Sequence, residues 1–225
     1  MNRRQAFPLL FAPLFLTGCG RPTYTYRYKL TLAVDTPDGV KEASTVVQKH
    51  IYSVSFPHSG IRLATTGQSL YLDLGPRPLV ALLTRRVRGN AVEGYGGGVI
   101  REVYGGQSEW QDGRNPGLAA LIKNRGARAL MISQLPELVT FADPVRPDSV
   151  MAVDPNNLEA SFGPGVEWRR MMIEITDEPV TTGLEKKLPW LNTIGGNYLD
   201  GRISSYANGA LANKLQTSAF SRQGF

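Results

Sequence analysis

The chain has 225 residues, a formal net charge of +6, 24 glycines, 15 prolines and a single cysteine. One cysteine excludes intramolecular disulfides, and the modest positive excess with no recognition motif speaks against nucleic acid as a partner. The glycine and proline content favours short strands and many turns over long helices.

Asn2-Arg3-Arg4-Gln5 is a basic start, and Ala6 to Leu16 is an apolar run. A run of about a dozen residues is too short to span a bilayer, which takes roughly 20. Basic start, short apolar core and small residues before a cut site describe an export signal over residues 1–18. Leu16-Thr17-Gly18-Cys19 resembles the lipobox of bacterial lipoproteins. Its chemistry is that of a thiol that takes a diacylglyceryl group, with small neighbours that admit the peptidase. Cys19 is therefore the expected lipidation site and the first residue of the mature chain. Each buried methylene of an acyl chain such as palmitate contributes roughly 0.8 kcal/mol, so two or three chains form a stable anchor. Arg3-Arg4 before Phe7 is loosely similar to a twin-arginine signal, although a general secretory leader fits as well. Gly20, where inner-membrane lipoproteins carry Asp, leans toward the outer membrane, facing the periplasm.

Removing 18 of 225 residues leaves 207, and no later segment is long and apolar enough to span a membrane. Residues 19–202 read as a single β-rich domain, and 203–225 as a polar, loosely held tail. The expected fold class is a β-rich α+β protein, an antiparallel sheet or sandwich with two or three short helices.

Thr23 to Asp35 alternates: Tyr24, Tyr26, Tyr28, Leu30, Leu32 and Val34 share one side, and Thr25, Arg27, Lys29 and Thr31 the other. Period two with one apolar side is a half-buried antiparallel strand. The tyrosines are read as core, with a sugar-stacking or membrane-interface strip as the competing use. Thr36-Pro37-Asp38-Gly39 is a turn, and a partner strand follows through Val46 and Ile51-Tyr52. Ile61 to Leu63, a turn at Thr66-Gly67 and Leu70 to Leu74 read as a second hairpin. Val80 to Val87 reads as one apolar strand ending in Arg85, Arg86 and Arg88, with Arg77 and Arg101 nearby in sequence.

Nine glycines fall between Gly89 and Gly117, which predicts a long loop or a floppy hairpin around Val99 to Tyr104. Asn115-Pro116 opens a short helix over Leu118 to Lys123. Ala127 to Ile132, Leu138 to Phe141 and Val150 to Val153 read as strands. Asp154-Pro155 starts a short helix ended by Gly163, and Val166 to Thr176 alternates with Met171, Ile173 and Ile175 on one side. Thr182-Gly183-Leu184-Glu185 fits a capping box before a helix carrying Leu184, Leu188 and Leu191.

Asp177-Glu178-Pro179-Val180-Thr181-Thr182 followed by Leu184-Glu185-Lys186-Lys187-Leu188-Pro189-Trp190-Leu191 resembles the C-terminal signature of a family of uncharacterised proteobacterial exported lipoproteins. The Tyr26 to Thr31 strand and Phe162-Gly163-Pro164-Gly165-Val166 look alike too. That resemblance implies an exported, lipid-anchored protein and brings no activity with it.

The catalytic signals are sparse. His50 lies on a strand and His58 in a turn, without a nucleophile elbow or Ser-x-x-Lys pattern. No zinc set is present, and Asp154-x-Asn156 begins a calcium-like loop that lacks its glycine and closing glutamate. The glycine tract lacks the Lys-Ser/Thr ending of a phosphate loop, so no cofactor is expected. Asp143, Asp148, Asp177 and Glu178 are scattered carboxylates from which a hydrolase acting on cell-wall or surface polymer would need a converging pair. Arg85, Arg86 and Arg88 form the candidate anionic-ligand patch, for lipid headgroups or polysaccharide phosphates, against the alternative of a charged strand end that blunts a sheet edge. The reading is a membrane-anchored envelope protein with a non-enzymatic binding or scaffolding role and an envelope protein, anionic lipid or polysaccharide as partner. An envelope hydrolase is the alternative.

Overall fold

A computed structural model describes residues 23–54, 60–86, 92–105, 116–206 and 208–224. Cys19, His58, Arg88 and Asn115 lie outside them. The fold is β-rich α+β: open antiparallel sheets with three short α-helices among the described residues.

The alternating segment forms β1 (Tyr24–Thr36), which pairs with β2 (Gly39–Val54) along its whole length. The Pro37-Asp38 turn sets this register, since Thr36 opposite Gly39 forces Thr25 opposite His50. Gly39 takes φ +108°, the left-handed exit the turn requires. β3 (Gly60–Gln68) extends the sheet beside β2, and β11 (Glu167–Thr176) lies on the far side of β1. Two short edge strands, β8 (Arg128–Ala129) and β12 (Ser221–Arg222), complete the order β12-β3-β2-β1-β11-β8.

A second sheet has the order β10-β9-β5-β4, from β4 (Leu70–Leu72), β5 (Leu79–Ala81), β9 (Leu138–Phe141) and β10 (Val150–Ala152). A two-strand ribbon of β6 (Thr84–Arg86) and β7 (Val92–Gly94) leads to helix α1 (Gly97–Tyr104). Helices α2 (Pro116–Leu121) and α3 (Glu159–Phe162) lie in connections.

Two cores result. Between the sheets, Tyr26, Tyr28, Leu30, Leu32, Met171 and Ile173 of the large sheet meet Leu70, Leu72, Leu79 and Leu138 of the small one. On the small sheet's other face, Val80, Val139 and Phe141 meet Leu184, Leu188, Trp190, Leu215 and Phe220 of the C-terminal segment. The small sheet is therefore covered on both faces, which explains the unbroken buried run Leu79 to Leu83. Lys49 joins Thr45 and Thr65 as a polar residue on the large sheet's inner face. It is buried and donates from Nζ to Thr65 Oγ1 at 2.8 Å.

Several sequence expectations need correction. Thr66-Gly67 is no hairpin turn: β3 runs through Gly67, where the chain passes close to Val47, and crosses at Ser69 to the second sheet. The Val80 to Val87 strand is broken at Leu82-Leu83, whose amides bond to Glu137 and Ala219 instead. The floppy hairpin around Val99 to Tyr104 is the helix α1, held by buried Val99 and Ile100. The strand expected over Ala127 to Ile132 shrinks to Arg128–Ala129 and is followed by a 3₁₀ turn at Ile132–Gln134. The Thr182 capping box does not form. Gly183 precedes a 3₁₀ turn, Glu185 accepts from Gln68 Nε2 at 2.9 Å, and a second 3₁₀ turn starts at Pro189. The tail is not loosely held: Ala212, Leu215, Ala219 and Phe220 are buried and Ser221-Arg222 pair with β3. A few widely spaced apolar residues suffice there because each fills a hole over the small sheet.

Candidate binding surface

The large sheet's outer face is polar by the same parity that makes its inner face apolar. Thr25, Arg27 and Lys29 stand on β1, with His50, Gln48 and Val46 opposite them on β2. Half of this face is crossed by the chain after β11. Arg27 Nη1 donates to the carbonyls of Asp177 and Glu178 at 3.1 and 3.3 Å, and Lys29 Nζ meets Glu178 at 2.8 Å. Thr181 then clips the edge of β2, its amide donating to Val46 O at 3.1 Å and its Oγ1 accepting from Val46 N at 2.9 Å.

Beyond this strap the face is open. A groove of about 460 Å³ is lined by Gln48, His50, Tyr52, Ala64, Thr66 and Gly224. Ala64 and Thr66 lie opposite His50 and Gln48 and form a low floor between taller neighbours. The His50 and Tyr52 rings stack at 5.3 Å with 27° between planes. Thr25 Oγ1 holds His50 Nδ1 at 2.7 Å, and Arg27 Nε holds Gln48 Oε1 at 3.0 Å. Gly224 closes one end through a 3.1 Å bond to Thr66 Oγ1. Pinned rings beside an amide and hydroxyls suit a polar ligand with one flat apolar face.

The arginines of the sequence-level patch diverge. Arg85 and Arg86 are consecutive on β6, so they point to opposite sides. Arg85 is buried and bidentate to Glu102, at 2.6 and 3.1 Å. Arg86 meets Glu137 at 2.8 Å beside a second groove near Ile132, Pro136 and Leu211. Arg77 donates to Ser161 O. Arg88 lies outside the described residues, as do Cys19 and His58.

The carboxylates each have a local partner. Asp148 pairs with Arg146, Asp177 with Arg125 and Glu178 with Lys29, while Asp143 accepts from the Val145 amide. Glu102, Asp148 and Glu185 have pKa values below the usual carboxylate range, through hydrogen bonds from Arg85, Arg146 and Gln68 respectively. Asp154 Oδ1 accepts from Asn156 in a local turn. Among the described residues no group of three potential ligands is placed to hold a metal, and no helix is long and apolar enough to cross a membrane. Tyr26 and Tyr28 are core, as the parity of β1 implies, whereas the His50–Tyr52 pair was missed. Its signal was available in the turn register, which aligns Thr25 with His50.

No family model, no curated protein and no solved structure matches this chain.

Proposed function

We propose that the chain is a bacterial envelope lipoprotein, cut before Cys19, acylated on that residue and held at the outer membrane facing the periplasm. Its role is non-enzymatic binding or scaffolding, and the contact surface is the open part of the outer sheet face around His50 and Tyr52. The carrying observation is that the small sheet is covered on both faces while this face keeps an aromatic and polar groove uncovered. A sheet face left bare beside rigid pinned side chains fits recognition. Asp148, Asp177 and Glu178, each paired with a cation, fit a hydrolase less well, because an acid catalyst needs one carboxyl held protonated beside a second.

Two measurements test the reading. Mass spectrometry of the N-terminal peptide of the mature protein should find Cys19 first and diacylglyceryl-modified, and Cys19→Ala should move the protein from the membrane to the soluble fraction. A photo-crosslinking residue at Tyr52 should capture an envelope component that the same residue at Val40 does not. A bare thiol at Cys19 overturns the anchor, and equal capture at both positions overturns the surface.

A further inference from the structure

One end of the large sheet carries a distinct surface. Tyr24, Ile51 and Leu63 form a cross-strand row where β1 begins, and Tyr52 and Arg62 form the next row on the outer face. Leu63 is 56% exposed, on the stretch of β3 that forms the edge of the sheet. Helix α1 flanks this row: Gly97 lies against Leu63 Cδ2, and exposed Arg101 follows one helical turn on, near enough for its charge to act on Tyr26. Among the described residues neither Arg62 nor Arg101 is in an ion pair, although the charge of Arg101 acts on its neighbour Glu102. The opposite end, at the β1–β2 turn, carries Asp35, Asp38, Glu42 and Glu167 beside Lys41, Arg169 and Arg170, with Asp35 paired to Arg169 and Glu42 to Arg170, so its charges nearly balance.

We infer that this end of the sandwich lies directly on the bilayer and that its partner is the anionic headgroup layer. The inference rests on the lipoprotein reading for its geometry. Tyr24 is five residues beyond Cys19, so the tether spans at most about 18 Å. A lipid on Cys19 thus brings to the membrane the end of the sheet that carries Tyr24, Leu63 and Arg101 on one side and Tyr52 and Arg62 on the other. The composition suits that layer. Tyrosines favour the interface, an exposed leucine gains by leaving water, and arginines pair with headgroup phosphates. The charge-balanced turn end points away, along a strand about 37 Å long over the eleven steps from Tyr24 to Asp35. The groove at His50, next to the Leu63 row, then opens at the membrane surface.

The test uses the acylated full chain in vesicles of phosphatidylglycerol and phosphatidylcholine, with a dye on Ile61→Cys or Val40→Cys. A headgroup nitroxide should quench the Ile61 label severalfold more than the Val40 label, and Arg62→Glu with Arg101→Glu should reduce the Ile61 quenching while the lipid keeps the protein on the vesicles. Equal quenching, or Ile61 quenching that charge reversal leaves unchanged, overturns the inference. A Cys19 thiol that reacts with maleimide sinks the lipoprotein reading instead. The unacylated Cys19→Ser chain separates the two. It should prefer phosphatidylglycerol over phosphatidylcholine vesicles and lose about thirtyfold in partition when both arginines become alanine, each charge being worth about fivefold. Indifference to headgroup charge overturns the inference on its own.

Discussion

The Tyr28 hydroxyl donates to the main-chain carbonyl of Tyr95 at 3.2 Å, and this bond ties the ribbon before α1 to the middle of β1. The next residue, Gly96, lies under the Tyr28 ring with φ +111°. A Cβ there would sit 2.6 Å from Tyr28 Cε1. Gly96→Ala therefore combines left-handed backbone strain with overpacking, and should cost about 3 kcal/mol in urea unfolding. Tyr28→Phe should cost about 1–2 kcal/mol, because it strands a buried carbonyl. If Gly96→Ala is neutral, α1 does not dock against β1 in this way.

Phe220 ties the C-terminal segment to the small sheet. Its ring meets Trp190 edge-on at 5.2 Å and Phe141 at 6.0 Å, and it is fully buried. Phe220→Ala should cost about 3–5 kcal/mol and shift tryptophan emission to the red as Trp190 gains water. A tail that only decorated the surface would leave both readouts unchanged.

How much of this could be read beforehand differs by region. The β1–β2 hairpin was legible because its turn and its parity agree, β11 was legible from its alternation, and β9 and β10 were legible as short apolar runs between turn residues. The fate of Leu70 to Leu74 was not. It depends on Ser69, whose amide bonds to Phe220 O, and no local pattern marks a change of sheet. The C-terminal layer was misread because Leu215 and Phe220 are far apart among polar residues, so burial comes from the shape of the small sheet rather than from periodicity. At the candidate surface, His50 and Tyr52 carry no motif. Only the register that brings Thr25, Ala64 and Thr66 around them makes a groove.

Arg85 and Glu102 supply an acid-sensitive clamp between β6 and α1. The hydrogen bond from Arg85 lowers the Glu102 pKa, so the carboxylate is more acidic in the folded chain than in the unfolded one. The stabilisation is present above about pH 4.3 and is lost as pH falls through the lower folded value. Glu102 is nearly half exposed, which limits the contribution to about 1 kcal/mol. Glu102→Gln should lower stability at neutral pH by that amount and flatten the acid limb of the stability curve. An unchanged acid limb would show that the pair is already broken in solution.

At the alkaline limb the tyrosines decide. Burial raises the pKa of Tyr26, Tyr28 and Tyr95 well above that of free tyrosine. A raised folded value means the unfolded chain releases these protons first. Their contribution is intact below about pH 10 and declines as pH rises through and beyond it. The three buried tyrosines should ionise only as the sandwich opens, after any phenol already in water. Tyrosinate absorbance should therefore rise in two stages, the second coinciding with loss of circular dichroism. Tyr28→Phe should shrink the second stage by about a third, since one of three buried phenols is gone. A single gradual rise at constant circular dichroism would mean that water reaches these rings in the folded protein, and the inner face of the large sheet would not be a closed core.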